Sequence, residues 1–481
     1  MMIVSSILRH SRLFPEKPAL ITDVGTTITY GQLVSNIGRA CFFLHSKGVL
    51  PGSNVLLSAT KEPEFVFFYL ATHLLKGRAV IVDPESNKQR LDYIINKVDP
   101  VLIFGFDKDQ VSLYRQFEGV RDEVDIEALA TGINGEDVCD ILFTTGTTGA
   151  PKGVLLTQNN ILNATVNINT FVGTDENDLE VLALPLCHSF GLGRLRCVLS
   201  MGATLVLLGS FANLKHFFEC LQTYKATGFG MVPSVWNYIK RLSGDKIAQY
   251  ASHLRYIEIG SAPMDVEDKR SLCELFPDVR ICMHYGLTEA SRSSFIEFHR
   301  DCLHLDSIGL PSPNVQVKFF SGDGRMLPFG EEGELCVAGK HVMRSYLLKD
   351  DNQNAFYGDY FRTGDWGMMD ENGFLYLLGR KKELINTGGK KVAPIEVESC
   401  INQMDGVVDC ICIGIPDPGK ILGEVVKCFV KPKKGASFLN AASIKEHVRK
   451  ELESYKVPFY VEFVEELPIT KSGKKQRLLL Q

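Results

Sequence analysis

The segment FTTGTTGAPKG, residues 143–153, decides how the rest of this 481-residue chain is interpreted. It follows an apolar run that is typical of the end of a buried strand, and its two central glycines stand among four threonines. Glycines let successive backbone N–H groups converge on one point, where they bind an anion. The threonine hydroxyls add donors and a metal-binding oxygen, and the lysine adds a cation. The segment therefore predicts a loop that binds a polyphosphate through Thr144, Thr145, Gly146, Thr147, Thr148, Gly149 and Lys152.

Two alternatives for this loop can be weighed from the residues alone. One is a surface loop that is rich in glycine and threonine and binds nothing. The other is a Walker A loop, but Lys152 is followed by Gly153, and the pattern G-x-x-x-x-G-K-[ST] does not fit.

Composition excludes several classes of protein. A chain of 481 residues is too long for one core, so two or three domains are expected. With 45% hydrophobic and 23% charged residues it has the composition of a soluble globular protein, and a net charge of −5 provides no attraction to nucleic acid. No apolar run is long enough to cross a bilayer, and the N-terminus lacks a signal-peptide pattern.

Thirteen cysteines without a C-x-x-C pair favour buried free thiols in a reducing compartment. Together with the composition, they predict a cytoplasmic protein with no membrane span and no nucleic-acid partner.

Strand and helix patterns alternate on both sides of the loop. This alternation predicts an α/β fold with mostly parallel sheets covered by helices. The predicted elements are a strand running into a helix at Ile28–Leu33, strands Val55–Ala59, Ala79–Val82, Glu180–Leu184, Ala203–Leu208 and Gly228–Val232, and helices Glu64–Leu75, Asn159–Thr170 and Leu214–Tyr224.

The pattern changes twice in the second half of the chain. From about Gly309 it becomes turn-rich and β-like, and the last hundred residues predict a small α+β unit with two strands and two helices. We expect a large N-terminal domain over residues 1–380, which includes the β-rich part, and a small mobile C-terminal domain over 381–481. The boundary Gly379–Glu383 has no Gly/Ser linker, which favours a hinge over a flexible tether.

The loop closely resembles the phosphate-binding loop of the adenylate-forming superfamily, which includes acyl- and aryl-CoA ligases, peptide-synthetase adenylation domains and firefly luciferase. Six further segments resemble the motifs of that superfamily, in the same order and over essentially the whole chain. They are PLCHSFG (185–191), GSAPM (260–264), HYGLTE (284–289), YFRTGD (360–365), TGGKKVAPIEVE (387–398) and PITKSGK (468–474).

The resemblance implies an acyl pocket that contains His188 as a catalytic-site residue. A single histidine after an apolar strand is, on its own, more often structural. Amino-acid-activating members usually carry an aspartate in this segment, and its absence here argues against an α-amino acid. The implied pocket residues mix aromatic, small and polar groups, which fits an aryl or medium-length acyl acid better than acetate. The pocket residues implied are His188, Phe190, Gly191, Ser261, Met264 and Ser291.

The same resemblance implies a nucleotide site. Tyr285 would stack on adenine, Thr288 would bind phosphate, and Glu289, with Thr144, would bind Mg2+, which prefers hard oxygen ligands. Without the resemblance, Thr288 and Glu289 would be typical of a helix start, and 260–264 of a tight turn. Adenine-packing or phosphate-facing residues implied beside these are Ser261, Ala262, Pro263, His284, Gly286 and Leu287; Asp365 and Arg380 are the implied ribose ligands.

Three residues near the C-terminus are implied to serve two half-reactions. Lys474 would stabilise the attack of a carboxylate on the α-phosphorus of ATP, where two anions must approach each other. Rotation about Lys382, at the hinge position of the family, would withdraw it and bring Gly389 to the pantetheine arm. Some plant aryl-CoA ligases carry lysines where this chain has Asn386 and Gly388.

The hypothesis is an ATP- and Mg2+-dependent acid–thiol ligase that acts on a small-molecule carboxylic acid. It would form an acyl-adenylate and transfer the acyl group to coenzyme A, or alternatively to the phosphopantetheine of an acyl carrier protein. A P-loop ATPase is disfavoured by the failed Walker A match. A non-catalytic homologue would be expected to lack Lys474, Asp365 or Glu289, and all three are present.

Overall fold

The computed structural model describes residues 2–106, 117, 119–120, 124–144, 151–436, 438–469 and 475–480. It divides into two units, each of which packs mainly within itself. The first consists of Met1–Gln316 and Val337–Phe361, and the second of Val317–Cys336 and Arg362–Gln481. The boundary after residue 380 stays a prediction.

The largest sheet of the first unit has nine strands. Its six central strands are parallel to one another, and antiparallel strands occupy the edges. Parallel strands buried on both faces are typically continuous apolar runs, as in Tyr256–Ile259, where all four residues are buried. In spatial order the strands are Leu310–Pro311, Ser294–Glu297, Arg280–Tyr285, Tyr256–Ile259, Gly228–Met231, Leu179–Leu182, Thr204–Leu207, Pro18–Thr22 and Thr27–Thr29.

A six-stranded sheet of the first unit carries the strand that enters the phosphate-loop segment. Val138–Thr144 is parallel to Arg78–Val82 on one side and antiparallel to Lys152–Thr157 on the other. In spatial order the strands are Ser345–Tyr346, Lys152–Thr157, Val138–Thr144, Arg78–Val82, Asn54–Ser58 and Leu102–Phe104.

Helices accompany these sheets, and local sequence sets several of their ends. Thr29 forms a capping box with Gln32 at the start of one helix, and Gly202, with φ +77°, ends another in the left-handed conformation. No helix in the described part of the chain is both long enough and apolar enough to span a membrane. The helices are Ile3–Leu13, Tyr30–Ser46, Pro63–Leu74, Lys88–Val98, Ile126–Thr131, Gln158–Val172, Ser189–Met201, Leu214–Tyr224, Pro233–Ser243 and Val266–Leu275.

The second unit contains most of a five-stranded sheet and a smaller α+β core. The core packs buried side chains of Pro394–Asn402 and Ala441–Glu451 against Val407–Pro416 and Glu424–Pro432. The five-stranded sheet is formed by Gln316–Phe320, Gly333–Ala338, Tyr360–Met369, Phe356–Tyr357 and Leu375–Arg380, and the remaining strands are Ile385–Thr387, Lys390–Val392 and Tyr460–Phe463.

The predicted fold class is confirmed. The differences concern element ends and several helices that were not predicted, such as Ser189–Met201. The predicted strand Glu180–Leu184 ends at Leu182, and Lys61 Nζ donates hydrogen bonds to the carbonyls of both Leu182 and Leu184. All thirteen cysteines are free thiols, and ten of them are buried, as predicted.

Charged side chains lie at the centre of the nine-stranded sheet. Arg194, which is fully buried, binds Glu180 through Nε and Nη2, and its Nη1 lies 3.2 Å from Glu258 Oε2. Tyr256 Oη donates to Glu180 Oε2 at 2.7 Å, and Arg292 Nε donates to Glu258 Oε1 at 3.2 Å. Two glutamates and two arginines thus balance each other in the interior.

These contacts decide the protonation of the central carboxylate. Burial alone would raise the pKa of Glu258, but Arg292, His284 and Arg194 outweigh burial and hold the pKa well below its usual range. Glu258 is therefore an anion at neutral pH, and removal of one cationic partner leaves a charge uncompensated in the interior.

Arg194→Met keeps much of the side-chain volume but removes the charge that binds Glu180. We expect the free energy of unfolding to fall by about 3–5 kcal/mol, the usual cost of breaking a buried ion pair. Urea unfolding followed by circular dichroism measures it.

The matched control is Lys215→Met, because Lys215 is 87% exposed and its Nζ lies 3.7 Å from Glu219. This surface pair is expected to contribute less than about 1 kcal/mol. Equal losses in the two variants would contradict a structural role for the buried network.

Candidate active site

The two strands that flank the phosphate-loop segment bring its ends together. Thr144, which is half-buried, is the cross-strand partner of Lys152. The helix Lys88–Val98 holds both ends, since Arg90 Nη2 donates to the Phe143 carbonyl at 3.1 Å and Tyr93 Oη donates to the Pro151 carbonyl at 3.2 Å. The predicted ligands Thr145, Gly146, Thr147, Thr148 and Gly149 lie outside the described residues.

Lys152 and Glu289 are joined through one tyrosine. Lys152 Nζ lies 5.0 Å from the centre of the Tyr346 ring and 3.0 Å from Asp351 Oδ1. Tyr346 Oη donates to Glu289 Oε1 at 2.8 Å, and the Glu289 carbonyl accepts from the Met343 N–H at 2.7 Å. Tyr346 therefore contacts both Lys152, a cation suited to phosphate, and Glu289, a carboxylate suited to Mg2+.

The segment 260–264 begins where the strand Tyr256–Ile259 ends. A Cβ atom on Gly260 would lie 2.1 Å from the His284 ring, so only glycine allows the backbone at 260 to approach the His284 side chain this closely. Ser261 has φ +75°, and its side chain is exposed, whereas Met264 is buried. Ala262 is half-buried and Pro263 is exposed, so this turn presents small side chains at the surface of the first unit.

His284, one of the residues predicted to lie at the nucleotide site, is buried. Its Nδ1 lies 2.8 Å from Glu258 Oε1, and its ring meets the Phe190 ring edge-on at 4.6 Å between centroids. Burial and the nearby Arg292 lower the pKa of His284, which keeps the imidazole neutral at pH 7. The residues after it are more accessible: Tyr285, Leu287 and Thr288 are half-buried and Gly286 is exposed.

The segment 185–191 turns from a strand into the helix Ser189–Met201. His188 is exposed at the N-cap, and Phe190 is buried. A Cβ on Gly191 would lie 2.2 Å from the Pro185 carbonyl oxygen, so the turn requires glycine there. Of the other predicted pocket residues, Ser291 is half-buried, and its Oγ accepts from Arg292 Nη1 at 3.0 Å.

In the second unit, the two predicted ribose ligands are direct neighbours. Asp365 and Arg380 are cross-strand partners, and Arg380 Nε lies 3.0 Å from Asp365 Oδ1. Arg380 Nη1 also donates to the Thr363 carbonyl at 2.9 Å, which fixes the guanidinium. A carboxylate held in this way can accept hydrogen bonds from two vicinal hydroxyls.

The remaining predicted residues of the second unit lie on turns. Lys382 is exposed in the short 3-10 turn Lys381–Glu383, and Gly389, with φ +80°, lies in the turn that joins Ile385–Thr387 to Lys390–Val392. Lys474 lies outside the described residues. Its neighbour Lys475 is bound by Asp409 at 2.8 Å and Glu398 at 3.1 Å, and although burial opposes it, these carboxylates raise the pKa of Lys475.

Sequence reasoning missed four residues that contact the predicted site: Arg90, Tyr93, Tyr346 and Asp351. Tyr346 lies 57 residues from Glu289 in the chain, and no local pattern links them. Glu258 and Glu180 were also missed, but they carry a signal, because each is an acidic residue inside an apolar strand. A charge in such a position requires a partner.

Comparison with known proteins identifies the family of this chain. Residues 8–347 match the family model for the AMP-binding enzyme, and residues 396–474 match the model for its C-terminal domain. A feruloyl-CoA synthase of Amycolatopsis sp is 31% identical over 488 residues, which cover 97% of this chain and 96% of that protein. A long-chain-fatty-acid–CoA ligase of Bacillus subtilis is 29% identical over 533 residues, which cover 99% and 94%.

A solved structure gives the same result. ATP-bound MatB from Rhodopseudomonas palustris is 26% identical, with a TM-score of 0.85 over 100% of this chain and 98% of that chain. The chain therefore belongs to the AMP-binding enzymes of the adenylate-forming superfamily.

Proposed function

We propose that this enzyme is an ATP- and Mg2+-dependent acid–CoA ligase. In the first step it activates a carboxylic acid as an acyl-adenylate and releases pyrophosphate, and in the second it transfers the acyl group to coenzyme A. The names of the curated relatives, which form feruloyl-CoA and long-chain acyl-CoA, support CoA ligation at the level of the family.

The observation that carries the proposal is the contact series Lys152–Tyr346–Glu289. Glu289 and the Thr144 hydroxyl are hard oxygen donors of the kind that Mg2+ prefers, and Tyr346 Oη fixes the orientation of the Glu289 carboxylate. Bound there, Mg2+ would neutralise charge on the triphosphate. Lys152 would then place its ammonium on the phosphates, in exchange for or beside Asp351.

The second unit would contribute the ribose contacts and the catalytic lysine. Asp365, held by Arg380, would accept hydrogen bonds from the ribose hydroxyls. Lys474 would stabilise the charge that develops as the acid attacks the α-phosphorus. Gly389, with Lys382 as the hinge, would serve the later transfer to the pantetheine thiol.

An aryl or medium-length acyl acid remains the proposed substrate class. Phe190 and Met264 are buried apolar residues beside the turns at Gly191 and Gly260, and they would supply the apolar part of the acid pocket. His188 is exposed at the edge of the same segment and would contact the acid from the polar side.

Carboxylate-dependent pyrophosphate exchange, measured over a panel of aryl, short, medium and long acids, tests the first step. We expect exchange with one class of acid and a loss of about 100-fold or more in Lys474→Ala and Glu289→Gln, because each removes charge stabilisation from the transition state. Glu219→Gln, at an exposed position, is the matched control.

Addition of CoA then tests the second step by thioester formation. Formation of a thioester supports CoA as the acceptor. Exchange without a thioester would favour the phosphopantetheine of a carrier protein as the acceptor. ATP binding without exchange for any acid in the panel would contradict the proposed ligase activity.

Tyr346→Phe removes the hydroxyl that orients Glu289 and keeps the ring beside Lys152. We expect the Mg2+ concentration for half-maximal exchange to rise by about 10-fold, because loss of an outer-sphere partner weakens metal binding. The measurement is a Mg2+ titration of exchange at saturating acid.

Tyr238→Phe removes an exposed hydroxyl that donates to the Ala212 carbonyl, and it serves as the control. An unchanged Mg2+ dependence in Tyr346→Phe would argue against Glu289 as the metal ligand.

A further inference from the structure

A carboxylate, a thiol and an imidazole meet beside the acid-pocket segment. Asp83 directly follows the strand Arg78–Val82, and Cys187 and His188 directly precede the helix Ser189–Met201. One donor atom from each of the three side chains lies within 4.8 Å of the donor atoms of the other two. Asp83 and Cys187 are half-buried and His188 is exposed, so the cluster opens to solvent.

This donor set fits zinc better than magnesium. Oxygen, sulfur and nitrogen donors bind borderline-soft Zn2+, whereas Mg2+ selects oxygen alone. Donor atoms around one tetrahedral zinc lie roughly 3.3–3.8 Å apart. Side-chain rotations that move these atoms by about an ångström would therefore bring them to zinc-binding distances. Three protein ligands leave the fourth position for water or another small ligand.

Neighbouring groups orient Asp83 and act electrostatically on Cys187. Asp83 Oδ1 accepts from the Glu85 N–H at 2.9 Å, which fixes the carboxylate as an outer-sphere partner would. Burial and the nearby Asp83 raise the pKa of the Cys187 thiol to about 12, and Lys61 and Arg90 lower it only in part. Both have carbonyl partners, since Lys61 Nζ donates to the Leu182 carbonyl at 2.9 Å and Arg90 Nη2 donates to that of Phe143 at 3.1 Å.

A second cluster of the same residue types provides a contrast. His73, Cys139 and Asp140 are also close together, but all three are buried. Asp140 is already bound by Tyr69, His73 and Arg196. Within the described residues, Asp83, Cys187 and His188 form the candidate metal group that is open to solvent.

We propose that Asp83, Cys187 and His188 form a binding site for Zn2+ or a similar borderline-soft divalent cation, distinct from the Mg2+ site at Glu289. The consequence for activity rests on the proposed function. A cation held by His188 fixes that side chain at the entrance of the acid pocket, so zinc competes with the acid and not with ATP.

Binding is tested first, with the metal alone and without substrates. Co2+ added to the full-length apoprotein is expected to give a thiolate-to-cobalt charge-transfer band and the visible bands of tetrahedral cobalt, which Zn2+ then abolishes. Competition with a chromophoric chelator measures zinc affinity. Cys187→Ser should remove the charge-transfer band, and both Cys187→Ser and Asp83→Asn should weaken zinc binding by about 10-fold or more.

The matched control is Cys302→Ser, which removes an exposed thiol elsewhere in the first unit. It should keep both the cobalt band and the zinc affinity. Thermal unfolding of each variant shows that the fold is retained. Absence of the band in the parent protein, or equal zinc affinity in the parent and Cys187→Ser, would overturn the proposal.

The activity measurement follows in excess Mg2+. Micromolar zinc should raise the acid concentration for half-maximal pyrophosphate exchange in the parent protein, with no change in the corresponding ATP concentration. The effect should be lost in Cys187→Ser. If no acid supports exchange, the ligase proposal fails while the cobalt and zinc measurements still decide the metal site.

Discussion

One buried carboxylate, that of Glu258, connects the loops that carry the candidate site. Its Oε1 lies 2.8 Å from His284 Nδ1, at the start of the segment 284–289, and 3.2 Å from Arg292 Nε. Arg292 in turn donates to two backbone carbonyls of the segment 185–191. Glu258 itself lies two residues before the segment 260–264. A single charge in the interior therefore connects three loops at the carboxyl ends of strands of one sheet.

Such a network is not explained by stability alone. Removing charges from water costs several kcal/mol per ion, and apolar residues of similar volume are often as stable in the same place. A carboxylate and a guanidinium, however, form hydrogen bonds in defined directions. They therefore specify one arrangement of the loops, whereas apolar contacts would allow several. The glycines add to this constraint. Gly260 lies against the His284 ring and Gly191 against the Pro185 carbonyl, and a Cβ atom at either position would prevent the contact. A shift of these loops would also break the charged contacts.

Sequence patterns could predict the strands and helices of this fold because each depends on residues close together in the chain. Apolar runs gave strands within a few residues of their observed ends, and the glycine–threonine segment was expected where the strand Val138–Thr144 ends. The helix Ser189–Met201 was not predicted, because its two glycines and two arginines obscure the apolar face, and the arginines find their partners only in the folded protein. Pairs such as Glu258 with Arg292, 34 residues apart, have no local pattern. An acidic residue in an apolar strand indicates that a partner exists and does not identify it.

The charged pairs of this structure differ in how far solvent reaches them. Arg194 and Glu180 are both 0% exposed, so no solvent-borne group can replace either partner without opening the sheet. Lys152 and Asp351 are 29% and 20% exposed, whereas Arg380 is 39% exposed and its partner Asp365 only 9%. An ion pair at a partly open position gains little from its own attraction, because water competes with it, and a phosphate or a ribose hydroxyl can join or exchange there at small cost. The pairs at partly open positions are therefore the ones that a group from solvent can reach without opening the sheet.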